Sequence, residues 1–183
     1  MSAKRILLGV TGSIAAYKAA ELVRLFVKDD CDVTVVMTPA AAEFVRPLTF
    51  QTLSRNQVFI DQFAATAEWK PEHISLADSA DAVVVAPATA NTLAKMRFGI
   101  ADNLLTSVLL ATRAPVFAAP TMNDGMWSNA ATQENVSILK ERGITIIDPD
   151  DGELACGTSG KGRMASPDAI FSAVRKCAAT SRA

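Results

Sequence analysis

The chain has 183 residues, half of them hydrophobic and a fifth charged, which suits one domain with a real core and excludes a disordered chain. With 18 basic and 19 acidic residues the net charge is −1, so no basic field points to nucleic acid and no polybasic patch to a membrane. The three cysteines, Cys31, Cys156 and Cys177, are odd in number and widely spaced. That fits reduced thiols of the cytoplasm, not a disulfide framework. No apolar run approaches the length of a membrane span, and the N-terminus enters a strand directly, without a signal-peptide layout.

In chain order, strands and helices alternate. Ile6–Val10 is wholly apolar, as for a strand buried on both faces. Thr11, Gly12 and Ser13 turn it into a helix whose Ala15, Ala19, Leu22 and Phe26 share one face. Asp32–Met37 is the second strand, ended by Thr38-Pro39. Helical segments follow at Ala40–Val45 and Pro47–Ser54, then a short strand at Val58–Ile60. A short helix is expected at Ile74–Ala80 and a third buried strand at Asp81–Ala86, stopped by Pro87. Helices over Ala90–Phe98 and Asn103–Ala111 break near Gly99. Pro115–Ala119 is the next strand, stopped by Pro120. Asn129 caps a helix running to Arg142, with Gly143 as its stop, and Thr145–Ile147 is a further strand. Asp150–Ala165 is glycine-rich without periodicity and reads as a mobile loop. Ser166-Pro167-Asp168 starts the last helix, which runs to about Ala178.

This alternation predicts an α/β, Rossmann-like three-layer sandwich: a parallel sheet with helices on both faces, in a single domain over 1–183. Ligands of such sheets bind beyond the carboxyl ends of the strands. Four segments lie there: Thr11–Ile14, Thr38–Pro39, Pro87–Thr92 and Pro120–Trp127.

Each has a functional and a plain reading. The Gly12-Ser13-Ile14 turn offers amides to an anion at a helix start, or is a simple tight turn. It is neither a Walker loop nor a G-x-G-x-x-G fingerprint, and the second strand ends without a ribose-binding acid. A dinucleotide is therefore disfavoured, while a smaller phosphate such as that of a flavin mononucleotide fits. Thr89, Ala90, Asn91 and Thr92 bring short polar groups to a strand end, or cap a helix. Pro120-Thr121-Met122-Asn123-Asp124-Gly125-Met126-Trp127 reads as a loop of turn residues, whose two methionines, tryptophan and one amide suit an organic substrate, or cover a core edge. The loop carrying Cys156, between Gly152 and Met164, is either a lid or an incidental thiol site. His73 is the one histidine, so proton chemistry near neutral pH draws attention to it, although a lone histidine is commonly structural.

Taken together, GVTGSIAAYKA, MTPAAAEFVRPLTFQTLS, HISL, APATANTLAKMRFGIADNLL, PTMNDGMW and GELACGTSGKGRMA resemble the homo-oligomeric flavin-containing cysteine decarboxylases over nearly the whole chain. The resemblance implies an FMN site shared between subunits of a trimer, with trimers able to assemble into dodecamers. It implies flavin contacts at Gly12, Ser13, Ile14, Thr38, Thr89, Ala90, Asn91, Thr92 and Ala119, and no metal. Thr89 stands where many members have serine, and the hydroxyl is kept. It implies decarboxylation of 4′-phosphopantothenoylcysteine to 4′-phosphopantetheine in coenzyme A biosynthesis, with His73, Asn123 and Cys156 at the catalytic positions. His73 would take the thiol proton, Asn123 would hold the carboxylate through neutral hydrogen bonds, and Cys156 would protonate the enethiolate. Met122 and Arg163 are expected at the substrate, Arg163 on an anionic part of it. The competing readings are a peptidyl-cysteine decarboxylase that stops at an enethiol, a flavin prenyltransferase, and a phosphatase-inhibiting regulatory relative. Cys156, PTMNDGMW and the intact His73–Asn123–Cys156 set respectively argue against them. Many bacterial members fuse this domain to a ligase, so a phosphopantothenoylcysteine synthetase is expected as a separate protein or a detached domain.

Overall fold

The computed structural model describes residues 3–63, 71–153, 157 and 159–180, the last four by backbone alone. Six strands form one parallel sheet: β1 (Arg5–Val10), β2 (Asp32–Met37), β3 (Val58–Phe59), β4 (Ala82–Ala88), β5 (Val116–Pro120) and β6 (Thr145–Ile146). Their order is β3-β2-β1-β4-β5-β6. The winding reverses between β1 and β4, which is where a doubly wound sheet opens a crevice beyond its carboxyl edge. The expected Rossmann-like three-layer α/β architecture is observed.

The helices are α1 (Ala16–Lys28), α2 (Pro39–Ala42), α3 (Pro47–Ser54), α4 (Glu72–Ser79), α5 (Ala90–Phe98), α6 (Leu104–Ala111), α7 (Asp124–Ser128), α8 (Ala130–Glu141) and α9 (Pro167–Thr180). Side chains alternate across a strand, so β1 feeds two cores. Ile6, Leu8 and Val10 pack with Ala19, Leu22 and Phe26 of α1, Phe50 of α3 and Ile170 of α9. Leu7 faces the other way, with Val83, Leu76 and Ala77 of α4 and Leu104, Leu105 and Val108 of α6. Val85 and Ala118 pack with Leu93 of α5 and Val136 and Leu139 of α8. β4 is buried along its whole length, which explains its unbroken apolar sequence.

Local signals explain the element ends. Asn103 and Thr106 form a reciprocal capping box on α6. Gly99 closes α5 with φ +70°, a conformation open to glycine at little cost. Ser166 caps α9 by accepting from Ala169 N at 3.2 Å. Asn129 does the same for α8, accepting from Ala131 N at 2.9 Å.

Three expectations need correction. Pro87 does not stop β4, which continues to Ala88 through a register irregularity between Val85 and Ala88. A proline is tolerated there because the ladder is already interrupted. The stretch from Asp150 is not a loop: β7 (Asp150–Glu153) and β8 (Ser159–Arg163) form an antiparallel hairpin. The segment after Pro120 is not wholly irregular, since α7 occupies part of it. Among the described residues no helix is long and apolar enough to cross a membrane.

Candidate functional site

A line of hydrogen bonds runs along the carboxyl edge of the sheet. Buried Thr11 donates its hydroxyl to Pro87 O at 2.7 Å and accepts from Thr89 N at 3.1 Å, which ties the end of β1 to the end of β4. Thr121 N donates to Ala88 O at 3.1 Å, joining β4 to the end of β5. Met122 N donates to Gly162 O at 3.0 Å, joining β5 to the hairpin.

The turn after β1 is a tight one. Ser13 N donates to Thr11 O at 2.9 Å, and the Ser13 hydroxyl accepts from Ala15 N at 3.2 Å. Gly12 is required there, because a Cβ would lie 2.6 Å from Cβ of Ala40 and 3.3 Å from its carbonyl carbon. The amides of Gly12 and Ile14 have no acceptor among the described residues. They sit at the start of the 13-residue α1, where the helix dipole favours an anion.

The other strand ends carry the predicted hydroxyls, and these also cap helices. Thr38 accepts from Ala41 N at 3.3 Å to start α2. Thr89 accepts from Thr92 N at 3.3 Å to start α5, with the two hydroxyls 3.0 Å apart. Ala90 is half-buried and Asn91 exposed beside them. Ala119 is fully buried near the end of β5, a small residue beneath the edge. The functional and the capping readings of these residues therefore describe the same side chains.

A cavity of about 790 Å³ opens between the start of α1, the end of β5 and the hairpin. Ser13, Ile14, Lys18, Met122, Asn123 and Arg163 line it. Asn123 is exposed and caps α7: its Oδ1 accepts from Gly125 N at 2.9 Å, and its Nδ2 donates to Asp124 Oδ1 at 2.8 Å. Buried Trp127 anchors that short helix in the core, so the Asn123 amide stands on a fixed base.

The hairpin is seated by glycines. A Cβ on Gly162 would come within 2.2 Å of Met122 O, and φ there is +159°. A Cβ on Gly160 would lie 2.8 Å from Asp124 Cβ. Only residues without side chains let the two backbones approach this closely.

The structure thus brings the β1 turn, Met122, Asn123 and Arg163 together. It does not bring His73 to them. His73 is half-buried in the first turn of α4, which packs on α6 across the sheet from α1, and it does not line the cavity. Cys156 lies outside the described residues. Gly157 beside it lines the cavity mouth. Among the described residues no group of histidine, cysteine, aspartate or glutamate side chains is placed to hold a metal ion.

Two residues escaped the sequence reading. The sequence places Thr11 in a strand-end turn, but its hydrogen bonds to Pro87 and Thr89 need the β1–β4 adjacency. Lys18 lies four positions after Ile14, one helical turn on, so the spacing was available. Burial and the neighbouring Arg163 guanidinium hold the Lys18 ammonium below its ordinary pKa.

The Flavoprotein family model matches residues 1–179. A coenzyme A biosynthesis bifunctional protein of Haemophilus influenzae is 48% identical over 174 residues, which are 95% of this chain and 44% of that protein. The chain therefore spans less than half the length of that relative. A probable phosphopantothenoylcysteine decarboxylase of Streptococcus mutans is 45% identical over 175 residues, covering 94% of this chain and 98% of that protein. Among solved structures, a cysteine-to-serine variant of a PPC decarboxylase with pantothenoylaminoethenethiol superposes with a TM-score of 0.87 at 36% identity, over 96% of this chain and 98% of the other. An FMN-dependent cysteine decarboxylase, SpaF, superposes with a TM-score of 0.84 at 30% identity, over 100% of this chain and 99% of the other. By sequence along almost its whole length and by fold, the chain belongs to the Flavoprotein family.

Proposed function

We propose that this chain uses FMN to decarboxylate 4′-phosphopantothenoylcysteine to 4′-phosphopantetheine, a step of coenzyme A biosynthesis. The observation that carries the reading is the single cavity in which a phosphate-binding turn, a neutral carboxamide and a cationic side chain meet. The Streptococcus mutans relative, whose length the chain nearly spans, is named for this activity.

The residues present fit FMN. The free amides of Gly12 and Ile14, with the Ser13 hydroxyl and the α1 dipole, suit a phosphate. Thr38, Thr89, Ala90, Asn91, Thr92 and Ala119 line up along the carboxyl edge, where a flat ring system would lie. Bound there, FMN supplies the two-electron oxidation of the carbon bearing sulfur and the matching reduction after carbon dioxide leaves.

The side chains then handle protons and position. His73 takes the thiol proton as the carbon is oxidised. Asn123 holds the carboxylate through neutral hydrogen bonds, so the charge that must disappear is not stabilised beforehand. Met122 packs against the apolar part of the substrate beside it. Cys156 gives a proton to the enethiolate carbon, completing the reductive half. Because His73 does not line the cavity of its own chain, it serves the cavity of a neighbouring subunit in this reading, in line with the trimer the resemblance implies. A trimer or a dodecamer of such trimers meets this requirement. The bifunctional relative is more than twice as long as this chain, and a phosphopantothenoylcysteine synthetase partner, fused or separate, would supply the substrate.

Two variants test the assignment. His73→Asn abolishes carbon dioxide release while the purified protein keeps its flavin absorbance. Cys156→Ser accumulates the oxidised enethiol, lacking carbon dioxide and two hydrogens. Release of carbon dioxide at the wild-type rate by the first variant removes His73 as the base. Normal phosphopantetheine formation by the second removes Cys156 as the proton donor.

A further inference from the structure

The cavity that Asn123 lines also holds two cations, Lys18 and Arg163. Among the described residues neither side chain has an ion pair or a hydrogen bond. Lys18 is half-buried on the first turn of α1. Arg163 ends β8, and its guanidinium packs against Gly152, where a Cβ would be 3.1 Å from Cζ. Gly152 has φ +152°, so the hairpin reserves a glycine beneath that side chain.

Carboxylates are near but do not neutralise the pair. Asp150 stands opposite Arg163 in the hairpin register, and Glu153 lines the cavity. Asp150 and Glu21 favour the charged form of Lys18, but less than burial and Arg163 oppose it. Two cations held side by side repel each other, and a doubly charged anion between them relieves that repulsion. Arginine matches a phosphate in a fork of two hydrogen bonds, and lysine adds a point charge.

The chemistry separates the two ends of the substrate. Its carboxylate has to be lost, so a neutral amide suits it. Its phosphate takes no part in the reaction, so cations can bind it tightly without opposing decarboxylation. We infer that Lys18 and Arg163 together seat the substrate phosphate and set the selectivity for a phosphorylated cysteine amide over a peptidyl cysteine. This rests on the decarboxylase reading above. FMN also carries a phosphate, but the amides and hydroxyl at Gly12–Ile14 already provide for that one.

The test compares phosphopantothenoylcysteine with pantothenoylcysteine on the FMN-loaded protein and on its Lys18→Gln, Arg163→Gln and Arg163→Lys variants. The wild type prefers the phosphorylated substrate by at least about tenfold in kcat/KM, through KM. Each glutamine variant loses about tenfold of that preference and keeps its flavin absorbance. Arg163→Lys keeps part of the preference. An undiminished preference, or an equal loss for both substrates, overturns the inference. Loss of flavin absorbance in the glutamine variants also overturns it, by assigning the cations to the cofactor phosphate. If a variant does not fold, the wild type still decides. Salt raises KM steeply for the phosphorylated substrate and little for the other, and equal salt dependence is a refutation. Turnover of neither substrate by the wild type contradicts the decarboxylase reading itself and removes the premise.

Discussion

The β1 turn and the β5 turn face one cavity but are held by opposite means. At the β1 turn a buried threonine reaches across to the end of β4 and to Thr89 just beyond it with two hydrogen bonds, and Gly12 passes too close to Ala40 to carry a side chain. At the β5 turn the backbone is covered by an exposed hairpin, seated through Gly160 and Gly162 and one backbone hydrogen bond. The first arrangement is part of the core, so the proposed phosphate-binding turn is shaped by folding itself. The second adds little buried apolar surface, so the proposed substrate side can be disturbed without unfolding the sheet.

Three substitutions sharpen that contrast. The largest effect is expected from Gly162→Ala, whose Cβ collides with Met122 O and must displace the hairpin from Asn123. Displacement of about an ångström costs roughly a hundredfold in kcat/KM, with thermal stability and flavin content nearly intact. A parallel loss of stability would show that the hairpin belongs to the core after all. Thr11→Val comes next. It leaves the Pro87 carbonyl and the Thr89 amide without their partner, at a cost of about 1–3 kcal/mol in denaturant unfolding, and flavin retention falls with it.

The smallest effect belongs to Asp81→Asn, at the amino edge of the sheet, away from the cavity. Asp81 accepts from Arg5 N at 2.8 Å, and that hydrogen bond holds its carboxyl below the ordinary carboxylate range. A lowered folded-state pKa contributes stability above the unfolded value and loses it as the pH falls through the folded one. The variant is therefore destabilised by a few tenths of a kcal/mol at neutral pH and matches the wild type in strong acid, with activity unchanged. Urea unfolding at two pH values reads this directly.

Much of this architecture was legible in the sequence because the central strands are buried on both faces. Ile6–Val10, Val35–Met37 and the valines of β4 are continuous apolar runs, and their ends mark the carboxyl edge where the candidate ligand residues fall. Caps at Asn129 and Ser166 and the stop at Gly99 were legible for the same local reason. The hairpin was not. Asp150-Asp151-Gly152-Glu153 has no apolar alternation, since its strands lie on the surface and the hairpin is held by Gly162 against the Met122 backbone and Gly160 against the Asp124 side chain. Pro87 misled because a proline inside a strand is normally a stop, and the register irregularity that admits it is a property of the pairing with β5. His73 shows the remaining limit. Its position on a helix start was readable, but its place outside the cavity that Asn123 lines depends on where α4 packs.

The proposed activity is a full cycle of oxidation, decarboxylation and reduction on a phosphorylated cysteine amide. The most direct test is a mass spectrum of the product after the FMN-loaded protein meets phosphopantothenoylcysteine. Loss of carbon dioxide alone is the expected result. Loss of carbon dioxide together with two hydrogens, or an unchanged substrate, would contradict it.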